Sequence, residues 1–126
     1  MVTWILWALI LAMLAWMGFN YLRIRRAAKI VDNEEFEALI RTGQLIDLRD
    51  PAEFHRKHIL GARNIPSSQL KTSLAALRKD KPVLLYENQR AQRVTNAALY
   101  LKKQGFSEIY ILSYGLDSWK GKVKVE

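Results

Sequence analysis

The chain has 126 residues, and twenty Lys and Arg against twelve Asp and Glu give it a formal net charge of +8. It contains no cysteine, which excludes disulfides, thiolate metal sites, thiol nucleophiles and persulfide carriers by inventory alone. Setting aside an apolar leading segment leaves about one hundred residues, enough for one small domain with one modest core and not for a second.

Residues 2–22, VTWILWALILAMLAWMGFNYL, carry no charge. As a helix they extend about 30 Å, the thickness of one hydrocarbon core. Trp4 and Trp7 lie near one end and Trp16 and Tyr21 near the other, as amphipathic rings do at the two membrane interfaces. Every charged side chain lies from Arg23 onward, with Arg23, Arg25, Arg26 and Lys29 following the apolar run at once. The positive-inside rule therefore predicts a single-pass protein of the cell membrane, N-terminus outside and C-terminal domain in the cytoplasm. A cleaved signal peptide fits less well, because its positive charge would precede the apolar run and a small-residue cleavage site would follow it. A buried core helix fits worse, since the segment is apolar all round. Gly18 and the scattered alanines suit packing against a partner helix only weakly, and no specific dimer is expected from them. The expected organisation is a transmembrane helix at 1–22, a basic juxtamembrane segment at 23–30, a folded domain at 31–121 and a basic tail at 122–126.

Within the domain, Asp32 and Glu35 have capping-box spacing, and Phe36, Leu39 and Ile40 form an apolar stripe that ends at Gly43. QLIDLR, residues 44–49, reads as a short strand. Asp50, Pro51 and Glu53 combine an N-cap, an N1 proline and an N3 carboxylate, so a second helix starts there. GARNIP, residues 61–66, is a brief extended segment, and Leu70, Leu74 and Leu77 predict another helix. KPVLLY, residues 81–86, is the continuous apolar run of a strand buried on both faces. Val94, Ala97, Ala98 and Leu101 then repeat at helical spacing up to Gly105, and EIYIL is a further strand. Strands alternating with helices predict an open α/β fold, a parallel sheet with helices on both faces. In such sheets ligands bind at the carboxyl ends of the strands, beside helix N-termini whose free N–H groups favour anions. The loop 87–92 stands in that position.

Three blocks resemble the rhodanese (sulfurtransferase) family over about residues 29–121. LIDLRDPAEFHRKHILGARNIP is similar to the family's D-x-R-x-x-x-E-[FY]-x-x-x-H-[IL]-x-G-A-x-[NH]-[IL]-P block, with Asp47, Arg49, Glu53, Phe54, His58, Gly61, Ala62, Asn64 and Pro66 in register. PVLLY followed by a loop and an amphipathic helix is the second block. GFSEIYILSYGLDSWKG is the third, carrying Trp119 and departing from the family's G-G only at Tyr114. The resemblance implies a single rhodanese-like domain with a central parallel sheet flanked by helices, preceded by the membrane helix. In active members of that family the buried strand delivers a cysteine as first residue of the loop, where it carries sulfur as a persulfide. Here that residue is Glu87. The loop ENQRAQR places Arg90 and Arg93 where the family's C-x-x-G-x-R-S pattern has Gly and Ser.

A carboxylate can use the helix dipole that would stabilise a thiolate, but it is a poor nucleophile towards sulfane sulfur and cannot hold a persulfide. It also repels an anionic donor, by about 4 kcal/mol at about 4 Å and an effective dielectric near 20. Glu87 is thus expected to occupy the anion pocket itself, as a built-in ligand. A general-base role for Glu87 in some hydrolysis is the sharpest enzymatic alternative, and no partner acid or nucleophile stands near it in sequence. His55 and His58 have no third ligand at recognisable spacing, so no metal and no cofactor is expected. His58 reads as a hydrogen-bonded fold residue and His55 as exposed. Asp47 and Arg49 read as a bracing pair, and Glu53, His58, Gly61 and Trp119 as structural motif residues.

The expectation is a catalytically inactive rhodanese-like module whose loop residues Glu87, Asn88, Gln89, Arg90 and Arg93 meet a protein partner, another membrane protein among the candidates. The competing expectations are an enzyme of the sulfurtransferase family, a different reaction using Glu87, and a passive anchor or adaptor working through residues 2–22. Arg23 to Lys29, Arg90, Arg93, Lys102, Lys103 and the tail lysines Lys120, Lys122 and Lys124 suit anionic lipid. Nucleic acid is not expected, because no aromatic and basic residues interleave as a stacking platform.

Overall fold

A computed structural model describes residues 2–88 and 92–125, with the backbone alone described at 24–26. The leading helix α1, Val2–Ala27, is continuous over 26 residues. Its segment Val2–Arg23 is long and apolar enough to cross a membrane, and none of it is buried against the rest of the protein. The expected juxtamembrane segment at 23–30 is divided differently. The helix continues to Ala27, and Lys29–Val31 forms strand β1. Ala27 and Ala28 are buried, so the junction is packed into the domain.

Helix α2, Asn33–Ile40, starts where Asp32 Oδ1 accepts from the Glu35 N–H at 2.9 Å, and it buries Phe36. Strand β2 is Gln44–Asp47. Helix α3, Pro51–Arg56, has its proline at the first position, but Asp50 caps it without a side-chain hydrogen bond. Strands β3, Lys57–Ile59, and β4, Arg63–Asn64, follow. The helix expected around Leu70, Leu74 and Leu77 is instead two short 3-10 segments, Ser67–Thr72 and Leu74–Ala76, meeting at Ser73. The Thr72 hydroxyl donates to the Gln69 carbonyl at 2.9 Å, the local side-chain competition that disfavours an α-helix in a Ser/Thr-rich stretch. Leu70 and Leu77 are buried all the same. Strand β5, Val83–Tyr86, helix α4, Gln92–Lys103, and strand β6, Ile109–Leu112, complete the regular α/β elements.

The main sheet has the order β1-β6-β5-β2-β4, and all its pairings are parallel. Strand alternation splits the core into two layers. Ile46, Val83, Leu85, Ile109 and Ile111 face α4, meeting Val94, Ala97, Ala98 and Leu101. Leu45, Leu84, Tyr86 and Leu112 face the other way, meeting Phe36 and Ile59. The run VLLY is therefore apolar without interruption because both of its faces are covered.

The segment 122–126, expected as a basic tail, contains strand β7, Val123–Val125, antiparallel to β3 in a separate two-stranded sheet. Its alternation of valine and lysine is a period-two pattern, and the lysine charge hid it.

Candidate functional site

The site forms at the carboxyl ends of β2 and β5, in front of the N-terminus of α4. Strand β2 ends at Asp47, which is fully buried, and Arg49 follows it with little more exposure. The Arg49 guanidinium donates from Nε to both Asp47 oxygens at 3.1 Å and from Nη2 to Oδ2 at 2.8 Å. It also donates to the Lys57 carbonyl, and through Nη1 to Asn88 Oδ1 at 3.0 Å. Asn88 Nδ2 donates in turn to Glu53 Oε2 at 2.8 Å. One chain of bonds thus joins the end of β2, the helix α3 and the loop after β5. Burial works to lower the Arg49 pKa, and the hydrogen bond and charge of Asp47 outweigh it, leaving it raised. Asp47 and Arg49, expected as a bracing pair, are bonded directly, and Glu53 joins them through Asn88.

Tyr86, the last residue of β5, sends its hydroxyl oxygen to accept from the Ile59 N–H at 3.1 Å. Its phenol is pushed well above the usual tyrosine range by burial first and by the Asp47 charge second. His58 Nδ1 lies 2.7 Å from the Phe54 carbonyl, and its ring stacks on Phe54 with centroids 3.8 Å apart. His58 is buried, and His55 is exposed. Among the described residues no group of three or more His, Asp or Glu side chains could hold a metal ion.

Glu87 is 8% exposed, and its Oε2 accepts from the Val94 N–H at 2.8 Å. Val94 is the third residue of α4, so that N–H is one of the donors that a helix leaves without an intrahelical partner. The carboxylate therefore sits at the positive end of the helix dipole and satisfies an amide that would otherwise be available to an anion.

The main chain of the same loop is held from behind. The Leu116 N–H donates to the Glu87 carbonyl at 2.8 Å, and the Asp117 N–H to that of Asn88 at 3.0 Å. Gly115 has φ +70°, and a Cβ there would come within 2.5 Å of both carbonyl oxygens. That approach requires the glycine that the sequence keeps next to Tyr114. Sequence reasoning missed Asp117 and Leu116 as part of the site, although the retained glycine marked the place.

Arg49, Glu53, Arg56, Lys57, Asn88, Leu116 and Asp117 line a cleft of about 440 Å³ beside the loop. Glu87 is not among its lining residues. Of the five loop residues singled out in the sequence, Glu87 and Asn88 face inward, Arg93 is exposed, and Gln89 and Arg90 lie outside the described residues. Gly61 takes a left-handed turn with φ +91° between β3 and β4, and Trp119 packs edge-on to Phe36 at 5.9 Å.

The rhodanese-like domain family matches residues 32–122. The uncharacterised protein YqhL of Bacillus subtilis is 47% identical over 115 residues, which span 91% of this chain and 90% of the relative. The thiosulfate sulfurtransferase GlpE of Stutzerimonas stutzeri is 36% identical over 95 residues, covering 73% of this chain and 84% of the relative. Among solved structures, a rhodanese-related protein from Thermoplasma volcanium superimposes with a TM-score of 0.70 at 24% identity, over 78% of this chain and 99% of its own; it speaks to the fold alone.

Proposed function

The chain belongs to the rhodanese-like domain family, and on that premise we propose that it is a membrane-anchored, cytoplasm-facing module that transfers no sulfur and works by binding a protein partner. The observation that carries this reading is the hydrogen bond from Val94 N–H to the Glu87 carboxylate. The residue at the family's nucleophile position turns into the helix N-terminus and away from the cleft. A chain without cysteine has no thiol to place there.

The cleft supports the binding half of the proposal. It is lined by cations and carboxylates together, Arg49, Arg56 and Lys57 with Glu53 and Asp117, which suits a polar protein surface better than a small anion. Arg49, the most buried of the cations, already has its donors directed to Asp47, Asn88 and Lys57. Arg56, Lys57 and Asp117 are exposed on the rim, and Arg93 adds a further cation at the start of α4.

The competing reading is a sulfurtransferase, favoured by the activity for which relatives such as GlpE are named. Purified full chain incubated with thiosulfate and cyanide separates the two. The proposal expects thiocyanate at the level of the uncatalysed blank, and steady turnover supports the enzyme instead. In-cell photo-crosslinking from position 93 is expected to capture a discrete protein that crosslinking from position 124 does not; equal capture from both positions counts against the cleft as the binding surface.

A further inference from the structure

A second crevice, of about 710 Å³, lies where the end of α1 meets α4. Among the described residues, Phe19, Leu22, Ala27 and Leu99 give it an apolar floor, and Arg23, Lys102 and Lys103 line it with charge. Its size is within the range of about 300–1,000 Å³ common to small-molecule sites. Phe19 and Leu22 belong to the last turns of the membrane-crossing segment, close to the interfacial rings Trp16 and Tyr21, and both are exposed. The apolar floor therefore stands at the depth of the upper acyl chains, with three cations at the depth of the headgroups.

We infer that this crevice binds one anionic phospholipid, its phosphate paired with Lys102, Lys103 and Arg23 and its acyl chain laid along Phe19, Leu22 and Leu99. Charge complementarity selects the headgroup, because among the described residues no carboxylate lines the crevice. The apolar floor selects a lipid over a soluble phosphate, which would leave that surface uncovered. The bound lipid would fix the angle between the membrane helix and α4, and so set which way the cleft beside Asn88 faces. The inference rests on α1 crossing the membrane and is independent of whether the domain has activity.

The test uses the full chain in nanodiscs of phosphatidylcholine carrying a minority of phosphatidylglycerol, with native mass spectrometry of the released protein reading the retained lipid. The expected result is a single phosphatidylglycerol kept in preference to phosphatidylcholine. Lys102→Gln with Lys103→Gln is expected to weaken retention about thirtyfold. Leu99→Trp, which fills the crevice and leaves its charge intact, is expected to weaken it too. Lys120→Gln with Lys124→Gln, on the segment around β7, is expected to leave it unchanged. Equal retention of both lipids overturns the inference, as does an equal loss in the two lysine pairs, which would make the attraction diffuse. Vesicle flotation reads insertion separately: a chain that fails to float overturns the membrane-crossing reading and this inference together, and one that floats without lipid preference overturns this inference alone.

Discussion

The shell around the loop follows the family pattern, and the residue at the loop's mouth departs from it. Asp47, Arg49, Glu53 and Asn64 keep the family pattern and are joined by hydrogen bonds; Asn64 donates to the carbonyls of Asp47 and Arg49 at 3.2 and 2.9 Å. Position 87 carries a carboxylate where the resemblance to the family implies a thiol, and that carboxylate is bonded into α4. The difference teaches that the shell's bonds close on one another without using the Glu87 side chain. A buried Asp beside an Arg with several donors engaged is a structural requirement as soon as it exists, because either half alone is an uncompensated buried charge.

The largest expected effect breaks that shell. Arg49→Met leaves Asp47 buried without its cation and should destabilise the domain by about 3–5 kcal/mol. Urea unfolding of the full chain in detergent, followed by circular dichroism, reads it; Asp47→Leu combined with Arg49→Met should recover much of the loss.

Tyr86→Phe is next. It orphans the buried Ile59 N–H at a cost of about 1–3 kcal/mol. It also changes the alkaline limb of stability. The Tyr86 pKa is raised by folding, so the unfolded chain releases the proton first. The stability this group contributes is fully present below about pH 10 and is lost as pH rises beyond it. The Phe variant should show a flatter decline in stability above that pH than the native chain.

Position 87 should respond more gently. Glu87→Ala removes one cap and one favourable charge at the α4 N-terminus, worth about 1 kcal/mol. A loss as large as that of Arg49→Met would place Glu87 within the bracing shell and erase the contrast.

The smallest effect sharpens the comparison from outside. Arg78 and Asp80 form an ion pair at 2.6 Å on the surface. The hydrogen bond from Arg78 holds the Asp80 carboxyl below its usual range. The sign is that of a depressed acid: whatever the pair contributes is present above the unfolded carboxyl pKa and is lost as pH falls through the depressed one. Solvent screens it, so Asp80→Asn should leave the unfolding midpoint at neutral pH unchanged within error. The same pair of charges decides the fold when buried at β2 and is dispensable at residue 78.

Much of this was legible in the chain. The run VLLY announced a strand covered on both faces, the spacing of Val94, Ala97, Ala98 and Leu101 gave the buried side of α4, and the order of motif residues placed Asp47 and Arg49 at a strand end. What escaped depended on contacts across the chain. The direction of Glu87 was a positional expectation, and only the fold brings its carboxylate to an amide seven residues on. The backing of the loop by Leu116 and Asp117 joins segments 29 residues apart in each case, a separation at which local pattern carries no information. Strand β7 was hidden by Lys124 within it and Lys122 beside it, and the 3-10 segments around Ser73 by leucines that suit several kinds of helix.

The central claim is that the Glu87 carboxylate occupies the anion position at the head of α4. Nitrogen–proton correlation spectra of the full chain in micelles, titrated with thiosulfate, test it at the amide of Val94. The account predicts no shift of that resonance in the native chain and a saturable shift in Glu87→Ala, where the amide is released. A saturable shift at Val94 in the native chain, with affinity equal to that of the variant, would contradict it.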